Sequence, residues 1–266
     1  MLVFDHVDFY YKKDQPILHN MSFTIQPGEF VAIVGANGCG KSTIARLMNG
    51  LLLPNQGQVR YHDWVTLNPK DTHSIHEKIG YIFQSPEDQF ITTTVLDEVL
   101  FGLENIRVAR QDMQSRVVHA LQAVDMLDYA QAMPHQLSGG QMQRVAIAAI
   151  IAMRPEVIIF DEATSMLDPQ AREQVLSIMR DLHLQGMTII HVTHHMDEVL
   201  SAQRVILIDQ GRIAYDGDAV DFFDTVQVSD YQLTAPFAVR LHHKLELIRP
   251  VRADWKEMIR SKWPTN

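Results

Sequence analysis

Short runs of apolar residues alternate with polar, glycine-containing turns over much of the chain. Residues 30–34 form a compact apolar run that ends at a glycine, a pattern typical of a buried parallel strand. The stretches IGYIF, EVIIFDEA, MTIIHVTH and RVILIDQGRI predict one further strand each. The N-terminal stretches LVFDHVDFYY and MSFTIQPGEFVAIVG are also β-rich. The first part of the chain and its second half therefore both contribute strands.

Between these strands, apolar residues recur at helical spacing. A helix is predicted from Lys41, and residues 95–101, 113–127 and 141–153 form a block of helical segments between residues 86 and 154. Because strands and helices alternate, the sequence predicts an α/β core with a parallel sheet, interrupted by this helical insertion. The stretch PFAVRLHHKLELI predicts a small helical extension after about residue 218. A helix between two of the later strands presents Val175, Ile178, Met179 and Leu182 on one side.

Composition narrows the possible functions. The 266 residues carry a net charge of −9, which argues against broad electrostatic binding to DNA or to an anionic membrane surface. The single cysteine, Cys39, excludes an intrachain disulfide. No N-terminal stretch has the pattern of a signal peptide, and the longest apolar run, residues 145–153, is too short to span a bilayer. We therefore expect a soluble protein, or one that reaches a membrane only through a partner.

The stretch GANGCGKS, residues 35–42, fits the phosphate-binding pattern G-x-x-x-x-G-K-S between a predicted strand and a predicted helix. Glycines let backbone N–H groups approach a phosphate, and the helix N-terminus adds partial positive charge. Lys41 is expected to reach the β- and γ-phosphates, and Ser42 to bind Mg²⁺. The residues of this loop that we expect to contact ATP are Gly35, Asn37, Gly38, Cys39, Gly40, Lys41, Ser42 and Thr43.

A pair of carboxylates follows a second apolar strand. VIIFDE places Asp161 at the end of the strand, where its carboxylate is expected beside the Mg²⁺. Glu162 comes next and is suited to accept a proton from the attacking water, or to orient that water. Two acids at a strand end are commonly solvated side chains, but a phosphate loop in the same chain favours a catalytic interpretation.

The stretch LSGGQ, residues 137–141, is a second glycine turn that opens a helix, and it has no lysine. Ser138, Gln141 and the amides of Gly139 and Gly140 suit a γ-phosphate that is already held elsewhere. With this pentapeptide the chain resembles the ATP-binding-cassette (ABC) ATPases. The resemblance implies a P-loop NTPase (RecA-like) core with an N-terminal β subdomain, spanning residues 1–217. It also implies an inserted helical subdomain at about 86–154, and a helical extension at 218–266.

The resemblance also implies roles for single residues. Tyr11 would stack on adenine, and Gln84 would touch Mg²⁺ and the attacking water. Asp168 would end a loop that couples two ATP sites, and His194 would contact the γ-phosphate. In this family the signature at residues 137–141 faces the Lys41 loop of another subunit, so two chains would share each ATP. Tyr10, the neighbour of Tyr11, is a weaker candidate for the adenine contact. The resemblance gives His191 and His195 no role.

Three classes of ABC ATPase remain open. DNA-repair and chromosome-handling members typically carry a long coiled coil between phosphate loop and signature, and ribosome-acting members usually carry two cassettes. A single compact cassette instead favours a subunit that powers an importer or an exporter. A GTPase is disfavoured, because NPKD at residues 68–71 does not match the guanine-reading order N-K-x-D.

The stretches FQSPEDQF and DEATSMLDP resemble the ATPase subunits of energy-coupling-factor importers, which take up vitamins or transition-metal ions. With Glu162 intact, the form ATSMLDP resembles the first of the two paired ATPases in that family. The implied partners are a second ATPase subunit, as a paralogue in a heterodimer, a membrane coupling subunit and a substrate-binding membrane subunit. The implied location is the cytoplasmic face of the membrane, with residues 218–266 as a possible contact between the ATPases.

Two further expectations concern reactivity and coupling. The amides of the phosphate loop and the helix N-terminus should lower the pKa of the Cys39 thiol, so that alkylation would block ATPase activity. In FQSPEDQF, Gln84 is expected at the catalytic site, whereas residues 87–90 are expected to face a short helix of the membrane partner.

Overall fold

The structure is a computed structural model that describes residues 1–245; the predicted extension at 246–266 lies outside the described residues. Two sheets and the helices around them form this part of the chain. Its strands are β1 (Leu2–Lys12), β2 (Gln15–Ile25), β3 (Phe30–Val34), β4 (Gln56–Tyr61), β5 (Trp64–Val65), β6 (Ile79–Ile82), β7 (Val157–Asp161), β8 (Thr188–Val192), β9 (Arg204–Asp209) and β10 (Arg212–Asp218). Its helices are α1 (Lys41–Asn49), α2 (Thr72–Lys78), α3 (Val95–Asn105), α4 (Arg110–Ala123), α5 (Gly139–Ala152), α6 (Pro169–Leu184), α7 (Met196–Val199), α8 (Ala219–Thr225) and α9 (Phe237–Leu245).

The larger sheet has the strand order β10-β9-β3-β8-β7-β6 and is parallel from β9 to β6, as predicted. Within the larger sheet, as far as the structure describes the chain, only β10 runs antiparallel. In the register of the three central strands, Val192 of β8 pairs with Ile33 of β3 and with Asp161 of β7. The loops that follow these three strands therefore leave the sheet at one edge. Nucleotides bind at this edge in open α/β sheets.

Helices and the second sheet cover the two faces of the larger sheet. Alternate residues of β3 point to opposite faces, so Val31 and Ile33 pack in one core and Phe30 in another. The first core lies between the larger sheet, α1 and the antiparallel sheet β2-β1-β4-β5. The second core is filled by side chains of α3, α4, α5 and α6. This arrangement confirms the predicted α/β class.

The helical segment between residues 86 and 154 contains α3, α4 and α5, which pack on one another. The sequence predicted a helix at 113–127, but α4 covers Arg110–Ala123. It ends early because Asp125 adopts a left-handed conformation with φ 55°. Val124, predicted on the apolar face of this helix, is buried just beyond its end.

The prediction of one strand at RVILIDQGRI is wrong, because this stretch forms a hairpin. Gln210 and Gly211 have positive φ angles of 45° and 71°, the conformation of a two-residue turn that joins antiparallel strands. Strands β9 and β10 flank this turn, and Asp209 pairs with Arg212. Among the described residues, no helix is both long enough and apolar enough to cross a membrane.

Candidate nucleotide-binding site

The loop between β3 and α1 has the backbone shape that the glycine pattern predicts. Gly40 precedes α1 with φ 110°, a conformation that side chains disfavour. Gly35 is required by close approach, since a Cβ there would lie 2.3 Å from the carbonyl oxygen of Ile208. The loop therefore curves tightly above the edge of the sheet, and the free N–H groups of the first turn of α1 face the space beside it.

Lys41 lies at the first position of α1 and is buried, with 4% of its surface exposed. Its Nζ donates hydrogen bonds to the carbonyl oxygens of Gly35 and Ala36 at 3.0 and 3.1 Å. The same nitrogen lies 3.5 Å from Oε1 of Glu162. The side chain therefore curls back over its own loop, where an ammonium group can meet a bound phosphate, and Glu162 balances its charge.

Ser42 and Asp161 come together at the start of α1. The Ser42 hydroxyl donates to Oδ1 of Asp161 at 2.8 Å, and the Tyr81 hydroxyl donates to Oδ2 at 2.6 Å. Burial, and next the charge of Asp161, raise the pKa of Tyr81, so the phenol remains a donor. A hydroxyl and a carboxylate oxygen are ligands that Mg²⁺ prefers, so this pair fits the expected metal.

Glu162 has three polar side chains around its carboxylate. Besides Lys41, Nε2 of Gln84 lies 3.3 Å from Oε2, and Nδ1 of His194 lies 3.5 Å from the same oxygen. Gln84 also donates to the Ser165 hydroxyl at 3.2 Å. Glu162 itself has a φ of 50°, rare for a non-glycine residue and found mainly at constrained sites. The structure thus brings the predicted Gln84, Glu162 and His194 into one cluster.

The signature residues lie at the start of α5, next to the start of α6. The Ser138 hydroxyl accepts from the Gln141 amide at 3.3 Å, and Oε1 of Gln141 accepts from the Ser138 amide at 2.9 Å. Asp168 caps α6, accepting at 2.9 Å from the amides of Gln170 and Ala171. Among residues 1–245, no hydrogen bond or ion pair connects residues 138–141 or the Asp168 side chain to the phosphate loop.

The remaining predicted contacts vary in exposure. The Tyr11 side chain is 57% exposed and packs edge-on against Phe9, so one face of its ring is open for stacking. Asn37 is exposed and lines a cleft of about 480 Å³ beside the phosphate loop, a size that suits a small ligand. Gly38 has φ 81°, and a Cβ there would meet no atom within 4 Å, whereas Thr43 is buried. The cleft is completed by Ala36, His194, His195, Met196, Asp197, Gln232, Leu233, Thr234, Ala235, Phe237 and Arg240.

The predicted low pKa of Cys39 is wrong. Burial raises the pKa of this thiol, and the charge and amide of Lys41 offset the burial only in part. The thiol contacts the core between α1 and the smaller sheet, and a Cβ on Gly35 would lie 2.7 Å from its sulfur. Cys39 therefore acts as a packing residue of the loop, because the burial of its side chain outweighs the nearby amides and the charge of Lys41.

Two polar residues of the site region were missed by the sequence analysis. Tyr81 belongs to an apolar strand, and nothing in IGYIF indicates that its hydroxyl meets Asp161. Glu198 is 1% exposed although it lies in a short, largely polar segment, where an acid is ordinarily solvated. The only signal was its position between the apolar residues Met196 and Val199, which places it on a short helix that packs inward.

Comparisons with known proteins agree with this geometry. Residues 18–165 match the family described as ABC transporter. The chain is 43% identical over 271 residues to the energy-coupling factor transporter ATP-binding protein EcfA1 of Lactiplantibacillus plantarum, covering 96% of each chain. It also resembles the solved structure of cbiO1 from Clostridium perfringens, part of the ABC transporter complex cbiONQ, with a TM-score of 0.79, 30% identity and coverage of 92% and 98%.

A further solved structure is a dimeric ATP-binding cassette in a post-hydrolysis state, bound to ADP and Pi. Its TM-score is 0.74 at 29% identity, with coverage of 82% of this chain and 99% of the other. The phosphate loop, the carboxylate pair and the signature turn all lie within residues 18–165, the part of the chain that matches the ABC transporter family. The chain belongs to the ABC transporter family and, within it, to the energy-coupling factor transporter ATP-binding proteins.

Proposed function

We propose that this chain binds ATP with Mg²⁺ and hydrolyses it to power an energy-coupling-factor importer. The observation that carries the proposal is the cluster at Glu162, whose carboxylate lies within 3.5 Å of Lys41, Gln84 and His194 beside the phosphate loop. Ser42 and Asp161 would hold the metal, which would neutralise charge on the phosphates. The cargo, a vitamin or a transition-metal ion, is proposed from the family resemblance alone.

The contacts of Lys41 suggest how ATP binding prepares hydrolysis. Its ammonium group lies 3.5 Å from Oε1 of Glu162, which balances its charge. A bound triphosphate carries more charge than one carboxylate and would draw Lys41 towards its oxygens. Glu162 would then be released from this ion pair. Its carboxylate can accept a proton from the attacking water, while His194 and Gln84 keep the carboxylate and the water in place.

The signature at Ser138–Gln141 supports a shared ATP site, because within residues 1–245 it has no hydrogen bond or ion pair to the phosphate loop of its own chain. We propose that each ATP lies between the phosphate loop of one ATPase subunit and the signature of another, which in this family is a paralogue. Residues 1–217 would form this nucleotide-binding unit, with the helical subdomain at 86–154. Residues 218–266 would contribute to the contact between the two ATPases.

We propose that the 3₁₀ turn at Pro86–Asp88 is the docking point for a membrane coupling subunit. The turn begins two residues after Gln84, and Glu87 and Asp88 are exposed there. Gln89 and Phe90 are also expected at this surface, but both point partly inward. Gln89 accepts a hydrogen bond from the Phe83 amide, and Phe90 packs on the second core, beside α3, α4, α5 and α6. The exposed acids would therefore meet basic residues of the partner. They would hold the chain at the cytoplasmic face of the membrane, in a complex with a separate substrate-binding subunit.

Affinity purification of the tagged chain from its native membrane in mild detergent tests the proposed assembly. We expect a second ABC ATPase and at least two membrane proteins to copurify. The double variant Glu87→Lys and Asp88→Lys should reduce recovery of the membrane proteins while ATP binding is retained. The matched control changes two exposed acids far from this turn, Asp63 and Asp181, to lysine. Equal recovery with both double variants would contradict the docking surface, and purification without membrane proteins would contradict the transport function.

A further inference from the structure

Glu198 is a buried carboxylate that the proposed mechanism leaves without a role. Its Oε2 accepts from the Thr193 hydroxyl at 2.6 Å and lies 2.7 Å from Nε2 of His191. Its Oε1 accepts from the Thr164 hydroxyl at 2.8 Å and lies 3.7 Å from Nε of Arg172. The side chain is 1% exposed, so all of its hydrogen bonds must come from the protein. These four partners come from three stretches of the chain that meet at this one side chain.

One oxygen of Glu198 fixes the backbone around His194. The Thr193 hydroxyl, which donates to Oε2, also accepts from the His195 amide at 3.0 Å. The Thr193 hydroxyl thus links Thr193 to His195, the two residues on either side of His194. Glu198 holds this hydroxyl in place by accepting its hydrogen bond. The turn also follows β8 directly, where the Thr193 amide donates to the carbonyl oxygen of Ile33 at 3.1 Å.

The other oxygen of Glu198 fixes the backbone that follows Glu162. Thr164 lies two residues after Glu162 in a turn closed by the hydrogen bond from the Ser165 amide to the Glu162 carbonyl oxygen, at 3.0 Å. The Thr164 hydroxyl, fully buried, anchors this turn to Oε1. Glu162 needs such an anchor, because its φ of 50° is maintained only when its surroundings impose it.

The cost of this arrangement argues against a role in stability alone. Burial by itself would raise the pKa of Glu198, but the hydrogen bonds from His191, Thr193 and Thr164 lower it to about 2. A buried, ionised carboxylate is expensive to desolvate, and apolar residues of similar volume commonly stabilise a core as well or better. What apolar residues cannot do is to accept hydrogen bonds from two catalytic turns at once, at fixed directions.

We propose that Glu198 is a positioning residue for ATP hydrolysis, because its two oxygens hold the turn after Glu162 and the turn around His194 at a fixed separation. The inference rests on the proposed function, in which those two residues act on the attacking water. Glu198 touches neither nucleotide nor water and acts through the two turns. Its loss should therefore lower kcat, while the KM for ATP stays close to that of the wild type.

The test measures ATP hydrolysis by the purified transporter complex. We expect Glu198→Gln to lower kcat by about tenfold with a change in KM of less than about twofold. Its matched control is Asp181→Asn, which neutralises an exposed acid on α6 and should leave kcat unchanged. The decisive readout is the His194→Ala background, where the same Glu198→Gln change should lower kcat by clearly less than in the wild type, because the part of its effect that passes through His194 is already lost. Equal losses of kcat in both backgrounds would overturn the proposal.

A second variant keeps the test informative if Glu198→Gln does not fold. Thr193→Val keeps the side-chain shape and removes only the hydroxyl between Glu198 and the His195 amide, so it should also lower kcat, by about fivefold, with little change in KM. Glu162→Gln serves as the reference for the proposed function. If Glu162→Gln hydrolyses ATP at the wild-type rate, that function fails. If it is inactive while both Glu198→Gln and Thr193→Val retain the wild-type kcat, only the positioning role fails.

Discussion

Two adjacent glycines at the start of α5 allow stability and activity to be changed separately. A Cβ on Gly140 would lie 2.5 Å from the Cβ of Ala171 on α6, whereas a Cβ on Gly139 would meet no atom within 4 Å. This clash would lie between α5 and α6, and both helices contribute buried side chains to the second core, so neither can shift freely to relieve it. Overpacking of this kind costs about 1–3 kcal/mol, and replacing a helical glycine by alanine returns up to about 1 kcal/mol.

We therefore expect Gly140→Ala to lower the free energy of unfolding by about 1–2 kcal/mol. A domain of this size loses about 2–4 °C in Tm for each kcal/mol. Gly139→Ala should keep or raise Tm, because it gains helix propensity without a clash. It should nevertheless reduce ATP hydrolysis, since its methyl group would enter the space where the proposed partner's ATP approaches the signature amides.

Thermal unfolding followed by circular dichroism, together with phosphate release from the assembled complex, measures both effects. Equal Tm values for the two variants would refute the predicted contact between Gly140 and Ala171. Wild-type ATP hydrolysis in Gly139→Ala would refute the proposal that these amides face a nucleotide. A fall in Tm for both variants would contradict the open space beside Gly139.

Three further predictions concern buried polar groups. Because burial raises the pKa of Cys39, maleimide labelling of this thiol at pH 7 should be slower than labelling of a free cysteine peptide and should accelerate as pH rises towards 9; faster labelling than the peptide would contradict this. The pKa of Glu198 is lowered from 4.5 to about 2, so its ionised carboxylate stabilises the fold above pH 4.5. About 3 kcal/mol of the free energy of unfolding is lost as the pH falls from 4.5 to about 2. The stability difference between wild type and Glu198→Gln, measured by urea unfolding, should therefore shrink below pH 4.5; a constant difference would contradict the shift. Tyr81→Phe removes the 2.6 Å bond to Asp161 and should lower the free energy of unfolding by about 1–2 kcal/mol, which urea unfolding at pH 7 would measure.

The parts of the site that sequence reasoning found are those that local backbone chemistry dictates. The glycine spacing of residues 35–42, the strand before it and the helix after it are all visible in a short window, and the structure has all three. The resemblance to a known family then added residues that lie far apart in sequence. Gln84, Glu162 and His194 meet at one cluster because their strands end at the same edge of one parallel sheet.

The parts that sequence reasoning missed depend on where side chains point after folding. Cys39 is next to the amides of its loop in sequence, but its sulfur turns into the core, so burial outweighs the nearby charge. Glu198 lies in a short, largely polar segment, and only the folded chain brings Thr164, 34 residues away, to its carboxylate. The hairpin at Gln210 was missed for a different reason, since a two-residue turn with one glycine does not interrupt an apolar pattern clearly.

ATP binding and ATP hydrolysis, measured side by side in wild type and Glu162→Gln, test the central claim most directly. Glu173→Gln, which changes an exposed acid on α6, is the control and should behave as the wild type. We predict that Glu162→Gln keeps the Kd for ATP within about threefold and lowers kcat by about a hundredfold or more, because the water loses its proton acceptor. Wild-type turnover in Glu162→Gln would contradict the account.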